Sequence, residues 1–286
     1  ETWKVGLVYY PLSDLHLRAT QSRDIRAPNI GELFSTAVSG RVQVTNPFNP
    51  AAGGGQVNQV TSGNPNLVPE EADTFTAGVV YQPGFLQGFR ASLDYYNISI
   101  DGAITALSAQ NSLDACFAGN DAVCSKIVFT APNRQTISLI NVTQANFNSL
   151  KTNGVDLELA YDLPMGPGRF GVRALATYVD QLLITGQFTN INFVKQSMPQ
   201  LAGNLRLSYD VGPVSLTAQA RYIGPTVVDK TLIGPDNASY SPALPNSISD
   251  NARPSVVYVN LSGQYRVIDN PDGLRLQLYA VINSLA

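Results

Sequence analysis

The sequence predicts an all-β fold, an antiparallel transmembrane β-barrel of which about ten strands are present. Three observations carry that expectation. Apolar and polar residues alternate with a period of two over segments of about nine residues or more, longer than the roughly five or six of an average globular strand. Connections between those segments alternate short and long, the pattern of turns on one side of a bilayer and loops on the other. Charged residues make up only 14% of the 286 residues, against about 25% in a soluble globular chain; Ser, Thr, Asn, Gln and Gly fill the difference, and mean hydropathy is near zero.

The first predicted strand runs from Thr2 to Tyr10, with Trp3, Val5, Leu7 and Tyr9 on one face and Lys4 and Gly6 on the other. Pro11 to Asp14 turn the chain into the second, Leu15 to Ser22, where Leu15, Leu17 and Ala19 oppose His16, Arg18, Thr20 and Ser22. A connection rich in Gly, Asn and Pro follows, from Arg23 to about Glu70. A structureless loop of that length is uncommon in a compact domain unless it is functional. The third strand, Glu71 to Gln82, sets Phe75, Ala77, Val79 and Tyr81 against Thr74, Thr76 and Gly78. The fourth, Phe89 to roughly Ile104, shows Phe89, Ala91, Leu93 and Tyr95 against Arg90, Ser92 and Asp94. Its phase flips at Tyr96, Ile98 and Ile100, which predicts a β-bulge there.

A second long excursion, about Thr105 to Asn146, holds a predicted short helix near Ala106 to Ala115 and both cysteines. Cys116 and Cys124 flank Gly119, Asn120 and Asp121 at a spacing that a small loop disulfide can close, with a pair of free thiols as the alternative. Strand five, Leu150 to Asp162, alternates Val155, Leu157, Leu159 and Tyr161 with Gly154, Asp156, Glu158 and Ala160. Strand six, Arg169 to about Thr185, sets Phe170, Val172, Ala174, Ala176 and Tyr178 against Gly171, Arg173 and Thr177. After a medium loop to Pro199 come strand seven, Gln200 to Asp210, and strand eight, Val214 to Tyr222, joined by a tight turn. The loop 224–252 leads to strand nine, Ser255 to Arg266, and a turn then leads to strand ten, which ends at Ile282.

These faces separate two environments. Arg18, Arg90, Asp94, Asp156, Glu158, Arg173, Arg206, Arg221 and Arg275 fall opposite the apolar stripe, where a wet lumen can hold them and lipid cannot. Tyr9, Tyr81, Tyr161, Tyr209 and Tyr265 sit at the short-turn ends, where an interfacial girdle belongs. A soluble β-sandwich or β-solenoid is the alternative, and strand length together with the loop rhythm argues against it. No run approaches the roughly 18 apolar residues of a membrane helix. A net charge of -3 without a basic run excludes nucleic acid as the expected partner. The chain opens on Glu1, Thr2 and Trp3 without a secretory leader, so a signal was removed or the chain is a piece of a longer one.

Chemistry is sparse. His16 is the only histidine, so no Ser-His-Asp arrangement can be built without it. Gly53, Gly54 and Gly55 lack the Lys-Ser/Thr of a phosphate loop. Asn97, Asn141, Asn237 and Asn260 begin formal glycosylation sequons, two of them inside strands. Asp156 and Glu158 share a face, which suits acid/base work or pairing with lumen arginines. The reading expects no enzyme, no metal and no cofactor. A barrel enzyme such as a lipid hydrolase would need a Ser-His pair at the lumen rim; a passive porin or adhesin-like barrel would lack a plug.

Leu17 to Phe34, with Arg18, Ser22, Arg23, Asp24, Arg26, Ala27, Pro28, Asn29, Glu32, Leu33 and Phe34, resembles the S-R-D-x-R-A-P-N-x-x-E-L-F signature of TonB-dependent outer-membrane receptors. Asn64, Pro65, Asn66, Leu67, Pro69 and Glu70, then Gly78, resemble the N-P-x-L-x-P-E segment that re-enters the next strand. Asn153, Gly154, Val155, Asp156 and Glu158 are similar to the later G-V-D-x-E strand, and Tyr279, Val281, Ile282 and Asn283 to the start of the closing segment. The cysteine loop is also similar to a subset of the family.

The resemblance implies a barrel of about 22 strands around an N-terminal plug. Such a barrel imports a scarce ligand (a siderophore, a cobalamin-like molecule or an oligosaccharide) across the bacterial outer membrane with energy passed through TonB. On that template residues 1–286 are one barrel segment, roughly strands 12 to 21 of about 22, with no plug domain. Its implied partners are outer-membrane lipid, the plug and TonB complex outside this chain, and the extracellular ligand; alone it is not competent for transport. Asp156 and Glu158 would then contact either lumen arginines or the plug. Lumen arginines suit an anionic ligand, whereas Asn46, Phe48, Asn49, Phe129, Asn133, Phe147 and Tyr240 in the loops suit a sugar. Arg23, Asp24, Arg26 and Glu32 either bind ligand or brace the loop by ion pairs.

Overall fold

A computed structural model describes residues 1–186, 190–196, 198–244, 246–270 and 273–283. Its elements are, in chain order, β1 (Trp3–Leu12), β2 (Leu15–Arg26), α1 (Ile30–Phe34), β3 (Val38–Thr45), β4 (Gly54–Ser62), β5 (Glu70–Tyr81), β6 (Phe89–Ala106), α2 (Ala109–Phe117) and α3 (Asp121–Cys124). There follow β7 (Ile127–Phe129), β8 (Ile137–Met165), β9 (Gly168–Thr185), β10 (Asn190–Asn192), β11 (Leu201–Val211), β12 (Val214–Ile223), β13 (Thr226–Val227), β14 (Ala252–Arg253), β15 (Val256–Asp269) and β16 (Arg275–Ile282).

The long strands form one antiparallel sheet in the order β1-β2-β5-β6-β8-β9-β11-β12-β15-β16. Each of the ten strands expected from alternation is one of these. Among the described residues β1 and β16 pair on one side only, so the sheet is an open segment of barrel. Two-residue turns join β8 to β9 and β11 to β12, and each starts on a glycine in the left-handed region, Gly166 (φ +59°) and Gly212 (φ +52°), where a Cβ would be penalised.

Register places the two faces as the alternation requires. Leu17, Val79, Leu93, Leu157 and Ala176 run in one outward row across β2, β5, β6, β8 and β9. Tyr9, Tyr81, Tyr161, Tyr209 and Tyr265, joined by Phe89 and Phe170, ring the turn end of this face; Trp3, Phe75, Tyr95, Tyr178 and Tyr222 ring its loop end. From Phe170 to Tyr178 the chain advances eight residues, ~26 Å along the strand. At a tilt of about 40° that is ~20 Å of height, close to the apolar band of a membrane barrel.

The expected bulge at Tyr96 is absent. β5 and β6 stay in unbroken register from Tyr81 opposite Ala91 to Glu71 opposite Asp101, and the slips against β8 fall instead between Ile100 and Ile104, around Gly102. Tyr96, Ile98 and Ile100 simply continue the inward face of Asp94. The apparent flip reflects height: beyond Tyr95 the outward positions, Asn97 and Ser99, have left the apolar band.

The long loops are folded, contrary to the structureless connection expected. β3 and β4 form a hairpin, β4 then pairs in parallel with the top of β8 (residues 58–62 with 139–143), and β7 adds to the same strand. Ser108 caps α2, close to the expected helix. Among the described residues a buried hydrophobic cluster lies here, in the loop layer. Val44, Ala109, Leu113, Cys116, Cys124, Ile127, Ile140 and Val142 are buried together. Cys116 and Cys124 are joined in a disulfide within it.

Candidate functional site

Two groups of charged residues stand out, one lining the inner face of the sheet and one at the base of the loops. On the inner face Arg18 (β2) reaches across β5 to Asp94 (β6), with Nε and a terminal guanidinium nitrogen donating at 2.9 and 2.7 Å. The intervening position is Gly78, in register with both, and any Cβ there would overlap the Asp94 carboxylate. Glycine is therefore what lets a two-strand gap be bridged. Asp156 accepts from Thr177 Oγ1 at 2.7 Å, and Glu158 accepts from Arg173 at 2.7 and 3.0 Å. Arg90 lies 3.9 Å from Asp162. Arg221 lies over the Tyr258 ring, 5.1 Å from its centroid. Arg275 stands opposite Asp269 in the β15–β16 register.

Arg206 is directly opposite Arg173 on the neighbouring strand. Like charges directly opposite one another are unfavourable, and among the described residues no carboxylate lies within ion-pair distance of Arg206. A groove of about 500 Å³ lies over this wall, lined by Arg18, Arg90, Glu158 and Arg173 among others.

At the loop base, Arg26 (end of β2) bonds both oxygens of Glu70 at 2.6 and 2.7 Å and both oxygens of Glu32 at 3.1 to 3.2 Å. Glu32 also completes a capping box with Asn29, each donating a backbone N–H to the other's side chain at 2.8 Å. Glu70 in turn accepts from the Ile104 N–H at 2.7 Å. One guanidinium thus ties α1 to the start of β5 and, through Glu70, to the top of β6. The Arg26 guanidinium holds the Glu70 carboxyl below its ordinary range. Arg23 points to the opposite, outward face and makes a two-pronged pair with Asp73 at 2.8 and 2.7 Å. Asp24 accepts from Ser22 Oγ at 3.2 Å.

Sequence reasoning named Arg23 and Arg26 but not their partners Asp73 and Glu70, because each of these two pairs closes a long loop. It also gave Asn46, Phe48 and Phe129 as loop residues that would suit a sugar, with an anionic ligand as the alternative. Asn46 is instead buried, donating to the Arg134 and Gln135 carbonyls at 3.0 Å each. Phe48 packs edge-on against Phe117 and Phe129, capped by the Arg134 guanidinium at 5.5 Å. These side chains fill the loop layer. The Phe147 side chain lies outside the described residues. The N-P-x-L-x-P-E segment is latched by Asn146, whose side chain bonds the Val68 N–H and C=O and the Gly102 carbonyl.

The family described as TonB dependent receptor-like, beta-barrel matches residues 1–283. The chain belongs to the TonB-dependent receptor family. Solved structures agree on the fold. A mutant of the ferric enterobactin receptor PfeA of Pseudomonas aeruginosa matches at 16% identity and TM-score 0.63, over 99% of this chain and 34% of that one. The siderophore receptor PirA of Acinetobacter baumannii matches at 15% and 0.59, over 94% and 35%. The copper transporter OprC matches at 16% and 0.53, over 99% and 33%. The chain spans about a third of the length of these receptors. No curated protein matches it. TonB-dependent receptors are outer-membrane receptors and transporters rather than enzymes, and the two-faced sheet is the wall such a barrel needs.

Proposed function

We propose that this chain supplies part of the barrel wall of an outer-membrane transporter that imports a scarce, metal-carrying small molecule of the siderophore type with energy delivered through TonB. The observation that supports it best is the division of one sheet into a lipid-suited outer face between two aromatic belts and an inner face lined by Arg18, Asp94, Asp156, Glu158, Arg173 and Arg206. A barrel with a wet or protein-filled lumen accommodates both. Siderophores are favoured over sugars because the matched receptors are named for siderophores and copper, and because Asn46, Phe48 and Phe129 are spent inside the loop layer. In this reading Arg23, Arg26 and Glu32 brace the loop base, Asp156 and Glu158 face a plug domain, and the protein works in the outer membrane with the TonB complex.

The test is uptake of radioiron from a panel of ferric siderophores by cells expressing the full-length gene product, with TonB present or deleted. Uptake that requires both is the expected result. Uptake that persists without TonB would mark a passive pore; no uptake of any panel member by TonB-competent cells would refute the siderophore assignment.

A further inference from the structure

The outer face of the sheet, which a domain filling the lumen would leave uncovered, carries a recess near its turn end. In register across β9, β11, β12, β15 and β16, one outward row reads Phe170, Tyr209, Leu216, Gly263 and Ala280. The next row toward the loops places Ala218 between Leu207 and Leu261, with Ile282 beyond. Bulk therefore drops at Ala218, Gly263 and Ala280, and an apolar groove of about 430 Å³ opens over them. Leu216, Leu261 and Ile282 form exposed walls. The Tyr209 ring is held in place as another, its hydroxyl donating to the Met165 carbonyl at 3.1 Å.

Gly263 is the informative residue. A glycine inside a strand weakens it, and here neither backbone nor crowding asks for one. Its φ is outside the left-handed region, and a Cβ would meet only Leu216 Cδ2 within 4 Å, at an ordinary 3.5 Å. The space above it is open to a group from outside the chain. Among the described residues no charged side chain lines the groove, and the two aromatic belts bracket it, so that group is hydrocarbon. A protein partner buries about 800 Å² per side in a standard interface; a recess this narrow suits a single slender apolar chain. Phe170 and Tyr209, members of the turn-end belt, place it in the leaflet on the turn side, which in an outer membrane is glycerophospholipid. We propose that this groove docks one acyl chain of a glycerophospholipid in that leaflet. It rests on the reading of the outer face as the lipid-facing wall of an outer-membrane barrel.

The experiment is native mass spectrometry of the full-length gene product, released from detergent micelles after titration with phosphatidylethanolamine and, in parallel, with lipid A. The unmodified protein should retain one phosphatidylethanolamine per monomer under conditions that strip the remaining lipid. Gly263→Leu and Ala280→Leu, which fill the recess, should each weaken retention about tenfold, the affinity carried by roughly two displaced methylene contacts. Gly263→Ala, for whose methyl the structure has room, should weaken it less, and it carries the test where a larger side chain disturbs folding. Ala174→Leu, outward on β9 but outside the groove, should change nothing. The site is overturned if the unmodified protein retains no phospholipid, if lipid A is retained in preference, or if a dimer replaces the lipid-bound monomer. It is equally overturned if the filled variants bind as tightly or if Ala174→Leu loses as much. Because TonB-dependent uptake is scored separately, failure here removes the lipid site alone, whereas failure there removes the transport reading.

Discussion

Replacing Arg26 with alanine is the sharpest probe of the loop base. The side chains of Glu70 and Glu32 are only 13% and 17% exposed, and Arg26 is the cation between them. Its removal leaves two largely buried carboxylates facing each other without a counter-charge. Breaking a fully buried pair costs about 3 to 5 kcal/mol; Arg26 itself is 46% exposed, so solvent screening brings the expectation down to about 2 kcal/mol. That is a roughly thirtyfold rise in the local opening equilibrium. Hydrogen exchange reads it directly, because the amides of Ile104 and Asn29 donate to these carboxylates and that of Glu32 completes the cap.

The pH dependence has a fixed sign. Glu70 is held below its ordinary value of 4.5 by Arg26. A depressed carboxyl contributes stability above that value and loses it as pH falls through the folded pKa. The gap between Arg26→Ala and the unmodified protein should therefore be full near neutrality and shrink below pH 4.5. Exchange at Ile104 that is unchanged by Arg26→Ala, or a gap that widens in acid, would refute the argument.

Other expectations follow from the same geometry. Gly78→Ala should displace the Asp94 carboxylate and cost about 1 to 2 kcal/mol in urea unfolding from phospholipid vesicles, an exposed ion pair plus a forced rotamer; most of that cost should vanish in an Asp94→Ala background, as a double-mutant cycle reports. Leu157→Arg, on the outward face, should cost about 2 to 4 kcal/mol by lipid exposure, and Glu158→Arg, one residue on but facing inward, clearly less. Reducing the Cys116–Cys124 disulfide should release about 2 to 3 kcal/mol of unfolded-state constraint. The effect should fall on the loop layer: protease should cut between α2 and α3 while the barrel wall keeps its melting temperature.

What the sequence by itself determined is the wall. A strand's two faces are set by a period of two, a property of consecutive residues, so Leu157 and Glu158 had to part company and all ten long strands were legible without a neighbour in sight. The tight turn between strands seven and eight was legible for the same reason, whereas the left-handed conformation of Gly166 and Gly212 came from the structure. Height in the membrane was not. At Tyr96 the residue pattern changes because the surroundings change, and a one-dimensional reading mistakes that for a bulge.

Tertiary structure decided who meets whom. Arg18 and Asp94 are 76 residues apart, and only the β2-β5-β6 order with Gly78 between them brings them together. Arg26 reaches Glu70 over 44 residues, and Arg23 reaches Asp73 over 50, on the opposite face of the same strand. The loop layer was the least legible part. Its core draws Val44, Leu113, Cys116 and Ile140 from segments that carry no shared period. Asn46 looked like a surface contact until folding buried it against Arg134 and Gln135. Local alternation is written residue by residue. Burial within folded loops depends on which distant segments close over one another, and that exists only in three dimensions.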